Sequence, residues 1–194
     1  MKKIVLIGDS IRLGYAPTVR DELHSIAEVW APEPNSQHSV NVILHFNEWV
    51  LKTAPDIVHM NAGLWDIRKV LPNDTANVVP LARYRENVAL LLRLARENSK
   101  AKFIWATMTP IDQEQCITAH AAIGLIRRVA TDVALYNAAA VEECRAAGVE
   151  VNDLHQFVLD HNPAAIRTAD GVHYTPEGYA LLGKQVAAVV RKHV

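Results

Sequence analysis

Five short apolar runs recur along this chain with helical stretches between them, and that alternation constrains the fold more than any other feature. Lys3–Ile7 reads as a buried strand stopped by Gly8. Ile11–Glu28 reads as a helix whose first turns Pro17 disturbs, followed by a short strand at Glu28–Ala31. Val40–Lys52 is amphipathic, with Val40, Ile43, Leu44, Trp49 and Val50 near one face. Asp56–Met60 is a strand entered after Pro55. Ala82–Glu97 is helical, with Val88, Leu91, Leu92 and Ala95 at core spacing, and Lys102–Ala106 is a strand. An alanine-rich helix is expected from about Ile123 to Ala147, with Gly148 as its C′ residue. Val149–Val151 is the last short strand. Pro176–Lys192 is the closing helix, with Thr175 as N-cap and Pro176 at its first position.

Strands alternating with helices imply a parallel sheet covered on both faces. The expected fold is therefore α/β: a flavodoxin-like, three-layer α/β/α sandwich on a five-stranded parallel sheet. Ligands bind such sheets at the carboxyl ends of the strands. That directs the search to Asp9-Ser10, Pro32 to Ser36, Asn61 to Asp66, Thr107 to Pro110 and the loop after Val151.

Composition narrows the function. Among 194 residues, 20 Lys+Arg stand against 21 Asp+Glu, a formal net charge of −1. That balance argues against a chain built to grip nucleic acid or an anionic membrane. Half the residues are hydrophobic and 21% charged, enough for one domain over 1–194 with a sizeable core. Cys116 and Cys144 form no CxxC, and the nine histidines show no HExxH, so no disulfide framework and no metal site are expected. Only four apolar residues, Ile4 to Ile7, follow Met1-Lys2-Lys3, too few for a signal peptide. No run approaches the roughly 18–20 apolar residues of a membrane span. The expectation is a cytoplasmic protein with a small-molecule substrate; a homo-oligomer is left open.

Two motifs can carry chemistry. In Gly8-Asp9-Ser10, Ser10 would start a helix, where free N–H groups and the dipole favour developing negative charge. It could act as a nucleophile, with its own N–H helping to hold an oxyanion. The plain alternative is an N-cap. A phosphate cradle is a third reading, although neither a P-loop nor GxGxxG is present. In Asp170-Gly171-Val172-His173, the carboxylate can accept from His173 Nδ1 and leave Nε2 free to take a proton. The plain alternative there is a polar surface turn. A serine hydrolase needs nucleophile, base and orienting acid at one mouth of the sheet, and this topology can bring both ends together.

Gly8-Asp9-Ser10 near one end and Asp170-x-x-His173 near the other resemble the GDSL/SGNH hydrolases, and the resemblance runs from the first strand to the last helix. It implies a three-layer fold of SGNH-hydrolase type, a Ser–His–Asp triad, and hydrolysis of esters and thioesters without a cofactor. By position, Ser10 is the nucleophile, His173 the base and then acid, and Asp170 the orienting carboxylate. Two inner motifs depart from the family. Its glycine oxyanion donor after the second strand is replaced by Pro32-Glu33-Pro34-Asn35-Ser36-Gln37, where the N–H of Asn35 or Ser36 would serve. Its Gly-x-Asn-Asp reads Gly63-Leu64-Trp65-Asp66. There the Trp65 indole, in the matching position, or the Asn61 amide would donate instead. The oxyanion donors are thus sought among Ser10, Asn35, Ser36, Asn61, Gly63 and Trp65.

The expected activity is ester hydrolysis through an acyl-enzyme, on small acyl esters such as acetyl, with acetylated carbohydrate a reasonable substrate class. Short-chain acyl esters or thioesters are alternatives. A weakly active or non-catalytic ligand-binding protein on the same fold is the rival, with a flavodoxin-like phosphate binder behind it. The chain shows no long insertion to form a lid, and Trp65 and Met108 are read as pocket wall. Arg12 and Arg68 are read as solvated helix faces, with contact to an anionic or sugar-bearing substrate as the lesser reading. His59 is read as a hydrogen-bonded interior residue. Asp66 would tie down its own loop and Asp9 the nucleophile turn. Tyr174 and Tyr179 would pack around the His173 loop, and Cys144 would be core.

Overall fold

In the computed structural model, which describes residues 1–69, 75–121 and 128–194, the sheet is built outward from β1 (Lys2–Ile7). Its last four residues, Ile4 to Ile7, are apolar and fully buried, as a parallel strand covered on both faces requires. β2 (Ala27–Trp30), β3 (Ile57–Met60), β4 (Lys102–Ala106) and β5 (Glu150–Asn152) complete a sheet of order β2-β1-β3-β4-β5. Every pairing is parallel, with Ile4 level with Val29 on one side and Ile57 on the other.

The chain leaves β1 toward one edge and then returns across it to β3. With right-handed crossovers, that reversal puts α1 (Ser10–Leu23) on one face. It puts α2 (Ser39–Phe46), α3 (Leu81–Asn98) and α5 (Ala130–Ala147) on the other. α4 (Gln113–His120) precedes α5, and the short α6 (Leu154–Leu159) and α7 (Pro163–Ile166) precede α8 (Pro176–Arg191). α8 packs along α1, and α3 packs on α5 and α2. Glycines set the α1–α8 spacing: a Cβ on Gly14 would lie 2.2 Å from Tyr179 Cε1, and one on Gly183 would lie 2.5 Å from Thr18 Cβ. The crevice between the carboxyl ends of β1 and β3 is the switch point where such sheets bind ligands. Among the described residues, no helix is long and apolar enough to cross a membrane.

Several sequence expectations shift. α1 ends at Leu23 rather than Glu28, because residues 27–30 are drawn into the ladder beside β1. Pro17 sits inside α1, which continues past it. α2 begins at Ser39 and passes into a π-helical turn over Asn47–Leu51, which buries Trp49 and Val50. Leu44 is 73% exposed, so Val42 and Phe46 carry the buried face instead. Of the helix expected from about Ile123, the first residues (123–127) lie outside those described, and α5 begins at Ala130. Gly148 ends it at φ 66°, in the left-handed region. Thr175 caps α8 by accepting from Gly178 N. α4, α6 and α7 were not expected; Asp112 and Asp153 cap the first two, each accepting from a backbone N–H three residues on.

Two buried groups oppose each other in pH dependence. Burial pushes the Asp66 carboxyl up to about 6, against hydrogen bonds from Ser39 N and Oγ. The unfolded chain gives up that proton near 4, so the stability Asp66 contributes is full below pH 4 and lost as pH rises through 6. Burial pushes His59 down to about 4, so its contribution is full above its unfolded value near 6.5 and lost as pH falls through 4. Each is worth about 3 kcal/mol across the window. Relative to wild type, the melting temperature of Asp66→Asn should rise as pH goes from 4 to 6.5, and that of His59→Gln should fall. Thermal melts at half-unit pH steps check this, and equal slopes in all three proteins would contradict it.

Candidate active site

Gly8 ends β1 where no larger residue fits. A Cβ there would lie 2.1 Å from Asn61 Oδ1 and 2.7 Å from Arg12 Cβ. Asp9 is the N-cap of α1: its Oδ1 accepts from Ile11 N at 2.9 Å, while its Oδ2 is buried without a partner. Burial raises its pKa, countered by the Ile11 bond and the charges of Arg128, His173 and Arg12. Asp9 thus braces the turn and frees Ser10, the first residue of α1, from capping it. The Ser10 N–H has no protein acceptor among the described residues.

The loop before α8 reaches the same point. Ser10 Oγ lies 2.8 Å from His173 Nε2, and His173 Nδ1 lies 2.5 Å from Asp170 Oδ2. Asp170 Oδ1 accepts from Thr168 Oγ1, Val172 N and His173 N. Partial burial works to raise the Asp170 pKa. The bonds from His173, Val172 and Thr168 outweigh it and hold the carboxyl well below the usual range. It therefore stays ionised, and the loop stability it contributes is full above about pH 4 and lost only under stronger acid. The loop closes on itself through Thr168 N to His173 O, and Asp112 N at the start of α4 donates to Gly171 O. Gly171 has φ 75°, and a Cβ there would lie 2.5 Å from Asp112 O, so only glycine suits this turn. Tyr174 and Tyr179 meet edge to face behind it.

The ends of β2 and β3 supply further N–H groups. Ser36 N donates to Gly8 O at 3.1 Å, and Ser36 Oγ accepts from Gly8 N at 3.3 Å. The Ser36 N–H is spent bracing the turn, which removes it from the expected oxyanion donors. The Asn35 N–H has no protein acceptor among the described residues, and neither does the Gly63 N–H. Gly63 adopts φ 146° with Met108 beneath it, where a Cβ would lie 2.3 Å from Sδ. Met108 is 1% exposed, so it underlies this loop rather than forming the expected wall. The Asn61 side chain packs on Gly8, with its Oδ1 buried and unpartnered. The half-buried Trp65 ring lies under the Arg68 guanidinium, whose carbon is 4.2 Å from the ring centroid. Asp66 ties its loop to Ser39, the first residue of α2.

The GDSL-like Lipase/Acylhydrolase family model matches residues 4–186. The chain belongs to this family. No curated protein matches it at a significant level. Solved structures do, at identities where the likeness is one of fold. The lipase/acylhydrolase from Enterococcus faecalis is 23% identical, over 99% of this chain and 96% of that one, with TM-score 0.79. The acetyl xylan esterase AlAXEase is 17% identical, over 97% and 99%, with TM-score 0.74. A catalytic mutant of Axe2, an acetylxylan esterase from Geobacillus stearothermophilus, is 16% identical, over 99% and 94%, with TM-score 0.72.

Within this GDSL-like chain, two arginines have places the sequence did not disclose. Arg12 is 1% exposed, not a solvated helix face. Its one legible signal was its position four residues after Gly8, one helical turn on and facing back over it. Arg128 is buried and donates from Nε to Leu64 O at 2.6 Å, tying the connection before α5 to the loop after β3. It acts electrostatically on Asp9, and Asp170 acts on it; nothing in its local sequence marks this. The connection between β4 and α5 also carries α4, an insertion the sequence reading did not expect. His59 cannot exchange protons with a substrate: it is fully buried, between Asn152 Nδ2 and Tyr15 OH. Burial pushes the Cys144 thiol up to about 12, which keeps it an inert core residue. Among the described residues, no group of three His, Cys, Asp or Glu is arranged to hold a metal ion.

Proposed function

We propose that this GDSL-family protein hydrolyses small acyl esters through a covalent intermediate on Ser10. The observation that carries this reading is the continuous relay from Ser10 Oγ to His173 Nε2 at 2.8 Å and from His173 Nδ1 to Asp170 Oδ2 at 2.5 Å. His173 takes the Ser10 proton as Oγ attacks the acyl carbon, and Asp170 stabilises the imidazolium that forms. The oxyanion is held by the N–H groups of Ser10 and Asn35. His173 Nε2 then protonates the departing alcohol, a water enters, and the same nitrogen takes its proton as it attacks the acyl carbon. The bond between Ser10 Oγ and the acyl carbon breaks, His173 Nε2 returns its proton to Oγ, and the acid leaves.

The side-chain donor is assigned to Asn61. Its carboxamide oxygen packs on Gly8, two residues from the nucleophile, and its Nδ2 makes no hydrogen bond among the described residues, whereas the Trp65 ring is engaged by Arg68. Asn61→Ala should lower kcat on p-nitrophenyl acetate by about 100-fold with little change in KM, while Trp65→Phe stays within about threefold. The reverse order would move the donor to Trp65.

The acyl group is assigned as short. His173 and Asp170 side chains remain 37% and 31% exposed, an open rim rather than a deep tunnel. Acetylated carbohydrate is the substrate class proposed, in line with the acetylxylan esterases of the same fold. The test is a screen of p-nitrophenyl esters of graded chain length and of acetylated sugars, with Ser10→Ala as blank. Turnover that falls steeply beyond short chains supports the reading. No turnover and no fluorophosphonate labelling, with sugar binding retained, would make this a binding protein instead.

A further inference from the structure

Arg12 is a fully buried cation that makes no ion pair among the described residues, and all three of its nitrogens donate to backbone carbonyls. Nε donates to Gly8 O at 3.3 Å, Nη1 to Pro32 O at 2.9 Å and Nη2 to Pro34 O at 2.8 Å. Burying a guanidinium is costly unless its donors are satisfied, and an apolar side chain could fill the same space without that cost. What the charged fork adds is direction. It joins the nucleophile turn to the loop after β2, the stretch that lacks the family's glycine.

We infer that Arg12 is a positioning residue for the oxyanion site, aiming the Asn35 N–H by holding the Pro34 carbonyl; this rests on the serine-hydrolase reading above. A trans peptide is planar, with its N–H pointing opposite to its C=O. Among the described residues there is no cis peptide bond. Once Nη2 holds Pro34 O, the direction of that carbonyl is set, and the Asn35 N–H, antiparallel to it across the trans peptide, points away from Arg12. Neighbouring donors are already committed: Ser36 N to Gly8 O, and Gln37 N to Asn35 Oδ1 at 2.8 Å. Pro32 and Pro34 have no N–H to offer. Among the described residues the backbone N–H groups of Glu33 and Asn35 are the uncommitted ones in this loop, and that of Asn35 is the one next to Ser36, which is bonded to Gly8, two residues from Ser10. The side-chain clamp does by hydrogen bonding what backbone freedom at a glycine does in the family pattern.

Arg12→Lys keeps the charge but loses the fork. It should lower kcat on p-nitrophenyl acetate by about 100-fold, the loss expected for one oxyanion donor, with KM within about twofold. Affinity for a small boronic acid, which mimics the tetrahedral intermediate on Ser10, should fall in step. A purely structural role would lower the melting temperature and leave kcat and boronate affinity alone, and that result overturns the inference. Asn35→Pro deletes the N–H itself. It should show the same loss, and adding Arg12→Lys to it should cost no more than about a further twofold. If Arg12→Lys does not fold, Asn35→Pro decides: kcat within threefold of wild type overturns the inference. A wild-type protein with neither ester turnover nor fluorophosphonate labelling defeats the serine-hydrolase reading and this inference with it. Normal turnover in both variants defeats this inference alone.

Discussion

Ser10→Ala should reduce ester turnover by about 10⁴- to 10⁶-fold and abolish fluorophosphonate labelling, with the melting temperature unchanged to within a few degrees. The size follows from chemistry: without Oγ no acyl-enzyme forms, and the oxyanion donors and bound substrate retain only their own share of the rate enhancement. The unchanged stability follows from the hydrogen bonds. Among the described residues the hydroxyl bonds only to His173 Nε2, while Asp9 Oδ1 caps α1 and Ser36 braces Gly8. Alanine is also a good residue in the first turn of a helix. Steady-state rates, intact-mass spectra after labelling and thermal melts check the three parts. Labelling that persists in Ser10→Ala would place the nucleophile elsewhere.

His173→Ala should cost about 10⁴-fold in kcat on the same ester, again with a folded protein. The loop does not depend on the imidazole. His173 N still donates to Asp170 Oδ1, and His173 O still accepts from Thr168 N. Val172 N and Thr168 Oγ1 hold the same carboxylate oxygen. Asp170→Asn separates orientation from proton transfer. An amide that keeps an oxygen toward those three donors turns its NH₂ toward His173 Nδ1. The ring must then present an unprotonated Nδ1 and a protonated Nε2, the wrong tautomer to take the Ser10 proton. A loss of about 10³- to 10⁴-fold is expected, recovering in part at alkaline pH as hydroxide substitutes for the base. Near-normal rates in either variant would remove that residue from the mechanism.

The parts of this protein legible in its sequence are those that local chemistry decides. The order of the five strands and of the longer helices between them, the Gly148 stop and the Thr175 cap follow from hydrophobic period and backbone propensity within a few residues. The relay was legible because each half is a short motif and the α/β order brings both to one sheet edge. Boundaries were less so: α1 stops at Leu23 because pairing with β1 claims the residues that would have continued it. α4 stayed hidden because its eight residues carry little amphipathic pattern and owe their place to contact with the Gly171 loop.

Which donor is free and which is spent was decided only in three dimensions. Asn35 and Ser36 are adjacent and equally polar, yet Ser36 is consumed by Gly8 and Asn35 is not. Arg12 reads as a surface residue until its fork is seen to close on three carbonyls from two loops. Trp65 aligns with the family's asparagine, but Asn61 is the side chain against Gly8. The physical reason is common to all three. Propensity and periodicity act over neighbours in the chain, whereas a hydrogen bond is satisfied by whatever group the fold carries to within about 3 Å, and that is a property of the packed molecule.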